Sequence, residues 1–211
     1  MPKPTKILFA FFLITTGGVH ANEVKTVNFT QSSPLLDGRC EAQEWQYAIK
    51  SNLAANTGVY LMHNDESIFV CATGKAEDYT VLDIYIEDPK TGLLHNLHAS
   101  AQLSEKVMKG NEWESVGQWE LHQWSGFWVP YAGQEGDENR KRPIFLKGKD
   151  REIRILKEKF SGNSWNMMFG LGGVKQDGEF GPTILYPEGG VSTDSSTWMT
   201  FSFVGAANMQ E

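Results

Sequence analysis

Cysteine is scarce in this 211-residue chain, which holds only Cys40 and Cys71. With no C-x-x-C and no C-x-x-C-H, the usual cysteine metal sites and covalent haem attachment are excluded. No G-x-S-x-G, H-E-x-x-H or phosphate-loop motif occurs, so the sequence carries no familiar signature of a serine hydrolase, zinc protease or nucleotide enzyme. Long apolar runs are missing after residue 21, so no membrane span is expected there. Positive charge is in deficit as well: 19 Lys and Arg against 26 Asp and Glu give a net charge of -7. Such a balance suits neither nucleic acid nor anionic lipid as a partner. The one basic cluster, Arg140-Lys141-Arg142, follows Glu135, Asp137 and Glu138 and reads as a solvated mixed-charge loop. Internal repeats and Gly/Ser/Pro-rich linkers are also lacking, which leaves one domain.

What is present begins with an export signal. Lys3 and Lys6 precede an apolar run from Ile7 to Ile14, and Val19-His20-Ala21 offers a small residue for cleavage. Residues 1–21 are therefore expected to be a signal peptide, and residues 22–211 a single exported domain, periplasmic or extracellular. Loss of the two lysines takes the charge from -7 to -9, because the segment has no Asp or Glu. An even cysteine count outside the cytoplasm favours a Cys40–Cys71 disulfide, with two buried thiols as the alternative.

The rest of the chain reads as short strands. GVYLMHNDESIFVCAT (58–73) is two strands around Asn64-Asp65. In the second, Ile68, Val70 and Ala72 face one way, Phe69 and Cys71 the other, as in a strand covered on both sides. VLDIYIEDP alternates Leu82, Ile84 and Ile86 against Asp83, Tyr85 and Glu87. REIRILKEKF and TWMTFSF alternate too, placing Ile153, Ile155, Phe201 and Phe203 in the core. The one helical suggestion spans 42–52, and 132–151 reads as a long exposed loop. Together these predict an all-β fold: an antiparallel two-sheet β-sandwich, jelly-roll-like, with one short helix at most.

Several segments together resemble family 9 carbohydrate-binding modules and their DOMON-like relatives. LLDGRCEAQEWQYA (35–48) is similar to the family's opening, VYLMHNDESIFVCA to its hairpin, and VLDIYIEDPKTG to the strand ending in Asp-Pro. HNLHASAQL, SWNMMFGLGGV and STWMTFSF follow in the matching order, so the resemblance covers most of 33–203. It implies a sandwich that clasps a sugar between aromatic rings, with amide, carboxylate and guanidinium groups reading hydroxyls. The family's modules are normally joined to a glycoside hydrolase, whereas a single domain standing alone is expected here.

Four of the seven tryptophans fall within 16 residues, at Trp113, Trp119, Trp124 and Trp128. Trp45, Trp165 and Trp198 read as core. If 118–124 is a strand, Trp119 and Leu121 share one face while Glu120, His122 and Trp124 share the other. The expected ligand-binding set is Trp119, Glu120, His122, Gln123, Trp124, Trp128, Tyr131 and Arg140, taking a carbohydrate or small polyol-like ligand without transforming it. The competing reading packs Trp124 and Trp128 beneath the 132–151 loop. No cofactor is expected. Structural calcium, which the resemblance suggests, would draw on Asp65, Glu66, Asp83 and Asp88. Haem b, known in relatives of the fold, is the alternative, with Met62, His63, His95, His98, Met167 and Met168 as ligand candidates. A sandwich-type glycoside hydrolase using Glu112, Glu114 and Glu120 is the other alternative.

Overall fold

The computed structural model describes residues 24–118, 121–128, 131–137 and 140–204, with only the backbone of 117, 118 and 131. The expected signal peptide lies outside the described residues. Among those described, no helix is long and apolar enough to cross a membrane.

In chain order the strands are β1 (Val24–Thr26), β2 (Ile49–Leu53), β3 (Thr57–His63), β4 (Ser67–Thr73), β5 (Val81–Glu87) and β6 (Leu94–Ala99). Next come β7 (Leu103–Lys109), β8 (Glu112–Gln118), β9 (Trp124–Gly126), β10 (Tyr131–Asp137), β11 (Arg140–Phe145) and β12 (Asp150–Leu156). The last are β13 (Ser164–Gly172), β14 (Lys175–Gln176), β15 (Glu179–Phe180), β16 (Ile184–Tyr186) and β17 (Met199–Ser202). An eight-stranded sheet runs β1-β17-β13-β5-β6-β7-β8, with β16 also on β13, and a five-stranded sheet runs β2-β3-β4-β12-β9. All pairings in the two sheets are antiparallel except β1 with β17.

The two sheets close on one apolar layer because their strands alternate. Val59, Leu61, Ile68, Val70, Ala72, Ile153 and Ile155 of the smaller sheet meet Leu82, Ile84, Ile86, Leu97, Trp165, Phe169 and Phe201 of the larger. The residues expected in the core, from Trp45 to Phe203, are buried. Both β-hairpin arms of 58–73 form as read, and Asn64 Oδ1 closes their turn by accepting from Glu66 N at 3.0 Å and Ser67 N at 2.7 Å.

Two expectations need correction. Residues 42–47 form turns instead of a helix, and β2 begins at Ile49, where pairing with β3 overrides the local helical preference. Among the described residues the only helices are 3₁₀ turns at Ala54–Asn56, Lys157–Lys159 and Ser195–Thr197. The expected 132–151 loop is not one: β10 and β11 pair as a separate, largely exposed hairpin, and β12 starts at buried Asp150.

The outer face of the five-stranded sheet carries a second apolar cluster, Trp45, Ala48, Met62, Phe69 and Cys71. The 37–48 segment lies over it, tied down by the Cys40–Cys71 disulfide with a Cα–Cα distance of 6.1 Å. Replacing both cysteines by Ala should lower the unfolding free energy by about 3–4 kcal/mol on the chain-entropy account. Urea titration of the double variant checks this, and amide exchange in 37–48 should rise most.

Candidate functional site

The outer face of the eight-stranded sheet is polar where the inner face is apolar, and cross-strand pairing decides which residues meet there. Asp83 of β5 pairs with His98 of β6, and His98 with Ser104 of β7. Alongside runs a second row, Tyr85 with Asn96, Asn96 with Lys106, and Lys106 with Ser115 of β8. Trp113 pairs with Met108 at the end of the β7–β8 ladder, and its ring centroid stands 5.8 Å from that of Tyr85. The strands curve into a recess of about 510 Å³ lined by these two rings, Asp83, Asn96, His98 and Lys106, with serines at its edges.

Hydrogen bonding preorganises this floor. Asp83 Oδ1 accepts from Asn96 Nδ2 at 3.1 Å and from His98 Nδ1 at 2.9 Å. The other imidazole nitrogen, Nε2, meets the Ser100 hydroxyl at 2.8 Å, so the ring is held at both ends, with Nδ1–H donating to the Asp83 carboxylate. That leaves the second Asp83 oxygen, the Asn96 carbonyl oxygen and the Lys106 ammonium unbonded among the described residues. The Tyr85 hydroxyl likewise has no protein partner among them. Burial, assisted by the Asp83 charge, pushes Tyr85 up to about 12, so it stays a neutral donor and acceptor. Tyr85 is held from behind by Trp198, centroids 6.2 Å apart, whose Nε1 donates to Val191 O at 2.8 Å. A ring with an apolar face and hydroxyl edges fits such a surface.

Trp124, expected to lead the binding platform, points into the core instead. Trp124 is 4% exposed and belongs to the inter-sheet core, with Nε1 donating to Glu105 Oε2 at 3.1 Å. The cause is local: 121–123 is not a strand, and Gln123 sits at φ 62°, which breaks the alternation and turns both Leu121 and Trp124 toward the core. Trp119 and Glu120 lie outside the described residues, and so does the Tyr131 side chain. His122, Gln123 and Trp128 are exposed, Trp128 by 45%, and Arg140 is exposed on the β10–β11 hairpin, its N–H bonded to Asp137 Oδ1 at 2.9 Å. Among the described members, buried Trp124 is therefore set apart from the exposed His122, Gln123, Trp128 and Arg140.

The other candidates are similarly dispersed. Asp65 and Glu66 lie at the β3–β4 turn, Asp88 caps its own loop through Lys90 N and Thr91 Oγ1, and Asp83 is in the recess. Among the described residues no three His, Cys, Asp or Glu are placed to hold a metal. Met62 lies in the outer cluster and Met167 in the core. His95 and His98 take opposite faces of β6, reaching Glu105 and Asp83 respectively. Glu114 is paired with Lys109 at 2.7 Å on the exposed edge strand. Sequence reading missed Tyr85, Asn96 and Lys106 as site residues. The alternation of VLDIYIEDP had put Asp83 and Tyr85 on one face, but which strands flank them is not written locally.

These features define a β-sandwich with a polar, aromatic-walled recess on one sheet face. No protein-family model matches the chain, and no curated protein matches it. Solved structures do. Two are family 9 carbohydrate-binding modules from Caldicellulosiruptor kristjanssonii, one in complex with cellotriose and one with glucose. Each is 13% identical, with a TM-score of 0.49 over 90% of this chain and 97% or 100% of the module. A third, from Bacteroides uniformis and proposed to bind carbohydrate, is 10% identical over 87% of this chain and 100% of its own, at a TM-score of 0.54. At that identity the likeness is one of fold.

Proposed function

We propose that the protein is an exported, non-catalytic carbohydrate-binding protein whose site is the outer face of the eight-stranded sheet. The observation that carries this reading is the recess where the Tyr85 and Trp113 rings stand 5.8 Å apart beside the preorganised Asp83–His98 pair. Trp113 offers a stacking face for the sugar C–H surface. The second Asp83 oxygen accepts from hydroxyls, and Lys106 donates to them. Export rests on the signal-like first 21 residues and agrees with the disulfide. The sandwich fold, shared with the Bacteroides protein, supports the class without naming a sugar.

A glycan array followed by calorimetry tests the reading. Trp113→Ala should weaken binding of the best glycan about ten- to a hundredfold while the protein stays folded, the loss expected for a stacking ring worth about 1–3 kcal/mol. Asp83→Asn should weaken it as well, and Trp128→Ala should leave it unchanged. If no glycan binds, or if the Trp113 variant binds as wild type does, the proposal fails.

A further inference from the structure

One end of the sandwich holds a buried cation, Arg151, that no carboxylate of the described residues hydrogen-bonds or ion-pairs with. Arg151 lies on β12 two residues before Ile153, so its side chain points between the sheets, and it is 1% exposed. Among the described residues its guanidinium bonds only to the backbone carbonyl of Asp150, and Nε is buried without a partner. The neighbouring Asp150 carboxylate does not serve it. Its oxygens take Thr73 Oγ1 at 2.6 Å, Cys40 N at 3.1 Å and Lys149 Nζ at 3.3 Å.

This placement is built into the fold. Gly148 makes room for the group, since a Cβ there would stand 2.6 Å from an Arg151 terminal nitrogen. The 148–150 segment is locked to its neighbours through Thr80 N to Gly148 O at 3.0 Å and Gly74 N to Lys149 O at 2.7 Å. Arginine does not escape burial by losing its proton, as lysine can. Burial lowers its pKa, against the pull of Asp150, only to about 10, so the charge remains at neutral pH. Buried charges are ordinarily paired, because an isolated one forfeits hydration for nothing.

Arg151 is one of the residues lining a cavity of about 160 Å³, with Tyr79, Val81, Ser100, Ala101, Phe145 and Leu146 as its other walls. We propose that this cavity is a second ligand site, separate from the recess on the sheet face, and that it takes a small organic carboxylate. The carboxylate meets the planar Arg151 fork, whose donors match its two oxygens. A short hydrocarbon portion fills the apolar walls. A free inorganic anion satisfies the charge but not the walls, and a neutral alcohol does the reverse.

Titration of the ¹⁵N-labelled protein with butanoate, with n-butanol and with inorganic phosphate separates these cases. Butanoate should shift the Arg151 Nε–H resonance saturably and raise the melting temperature, while n-butanol and phosphate at equal concentration do neither. Arg151→Met should weaken the butanoate response about thirtyfold or more, the loss expected when one partner of a buried charge pair is removed. The same variant should melt no lower than wild type, because an apolar chain replaces an unpaired buried charge. Trp113→Ala should respond to butanoate as wild type does, which keeps this test independent of sugar binding. The proposal is overturned by an unresponsive Arg151 resonance in the wild-type protein or by an equal response to phosphate. An Arg151→Met variant that still binds, or that melts well below wild type, overturns it too.

Discussion

Replacing Glu152 by Ala should lower the unfolding free energy by about 3–5 kcal/mol, since each buried donor left unpaired costs about 1–3 kcal/mol and a cavity is added. Glu152 is fully buried on β12, facing away from the inter-sheet core. Its Oε2 accepts from Gly38 N at 2.8 Å, Asp37 N at 3.0 Å and Arg39 N at 3.3 Å, while Oε1 accepts from Trp45 Nε1 at 3.2 Å. One side chain thus anchors both the Asp37-Gly38 turn and the indole that plugs the outer cluster. The turn has no freedom to re-form elsewhere, because Gly38 sits at φ 81° against the Phe127 ring, where a Cβ would stand 2.3 Å from a ring carbon. Truncation leaves Gly38 N and Trp45 Nε1 without an acceptor, whereas Asp37 N keeps Leu35 O at 3.1 Å and Arg39 N keeps Asp37 Oδ1 at 3.0 Å. Urea unfolding of Glu152→Ala measures the loss, and amide exchange in 37–48 locates it.

The same carboxyl makes the effect depend on pH. Burial pushes Glu152 up to about 7, against the pull of its N–H donors. The folded pKa lies above the unfolded one near 4.5, so the native state holds its proton longer than the unfolded chain does. Its protonation term is therefore fully present below pH 4.5 and declines as pH rises toward 7. Stability of wild type measured against Glu152→Gln should fall across that window. A difference that rises with pH would contradict the assignment.

The second large effect is expected from Trp124→Ala, at about 3–5 kcal/mol for removing a large aromatic from a packed core. Trp124 joins the sheets: its ring fills the inter-sheet layer, and its Nε1 reaches Glu105 of β7 at 3.1 Å. Glu105 is itself buried and held by Lys159 Nζ at 3.0 Å and His95 Nδ1 at 3.0 Å. Burial raises its pKa, but His95 and Lys159 outweigh burial and hold the carboxyl below its usual value. A depressed folded pKa has the opposite consequence to that at Glu152. Its contribution is present above the unfolded value near 4.5 and is lost as pH falls through the folded one. Thermal melts of wild type and Glu105→Gln should therefore converge in acid. Trp124→Ala should lose stability at every pH, because most of the loss is core packing, whereas Trp113→Ala should lose ligand and keep the fold. A stable Trp124→Ala protein with impaired sugar binding would reverse the two roles.

The difference between these tryptophans shows where local sequence stops being informative. Alternation by itself determined the core: Ile84 and Ile86 against Asp83 and Tyr85, Ile68 and Val70 against Phe69 and Cys71, Phe201 and Phe203 at the end. A strand's side chains change face at every residue, so composition along one strand suffices to say which face is apolar. The turn at Asn64-Asp65, the burial of Trp45 and the pairing of the two cysteines were legible for comparable local or counting reasons. Alternation fails where the backbone leaves the strand. Gln123 at positive φ turns Trp124 inward. In β8 a register shift pairs Glu105 with Gly117 and Lys106 with Ser115, so Val116 has no partner and parity counted from Trp113 no longer holds. The recess was beyond sequence altogether, because its members Asp83, Tyr85, Asn96, His98, Lys106 and Trp113 come from four strands. Only hydrogen-bonded register brings them side by side, and register is set by packing across the whole sheet. The buried guanidinium of Arg151 belongs to that second kind. In REIRIL it reads as one more polar residue on an alternating strand, and only the facing sheet turns its position into a buried charge.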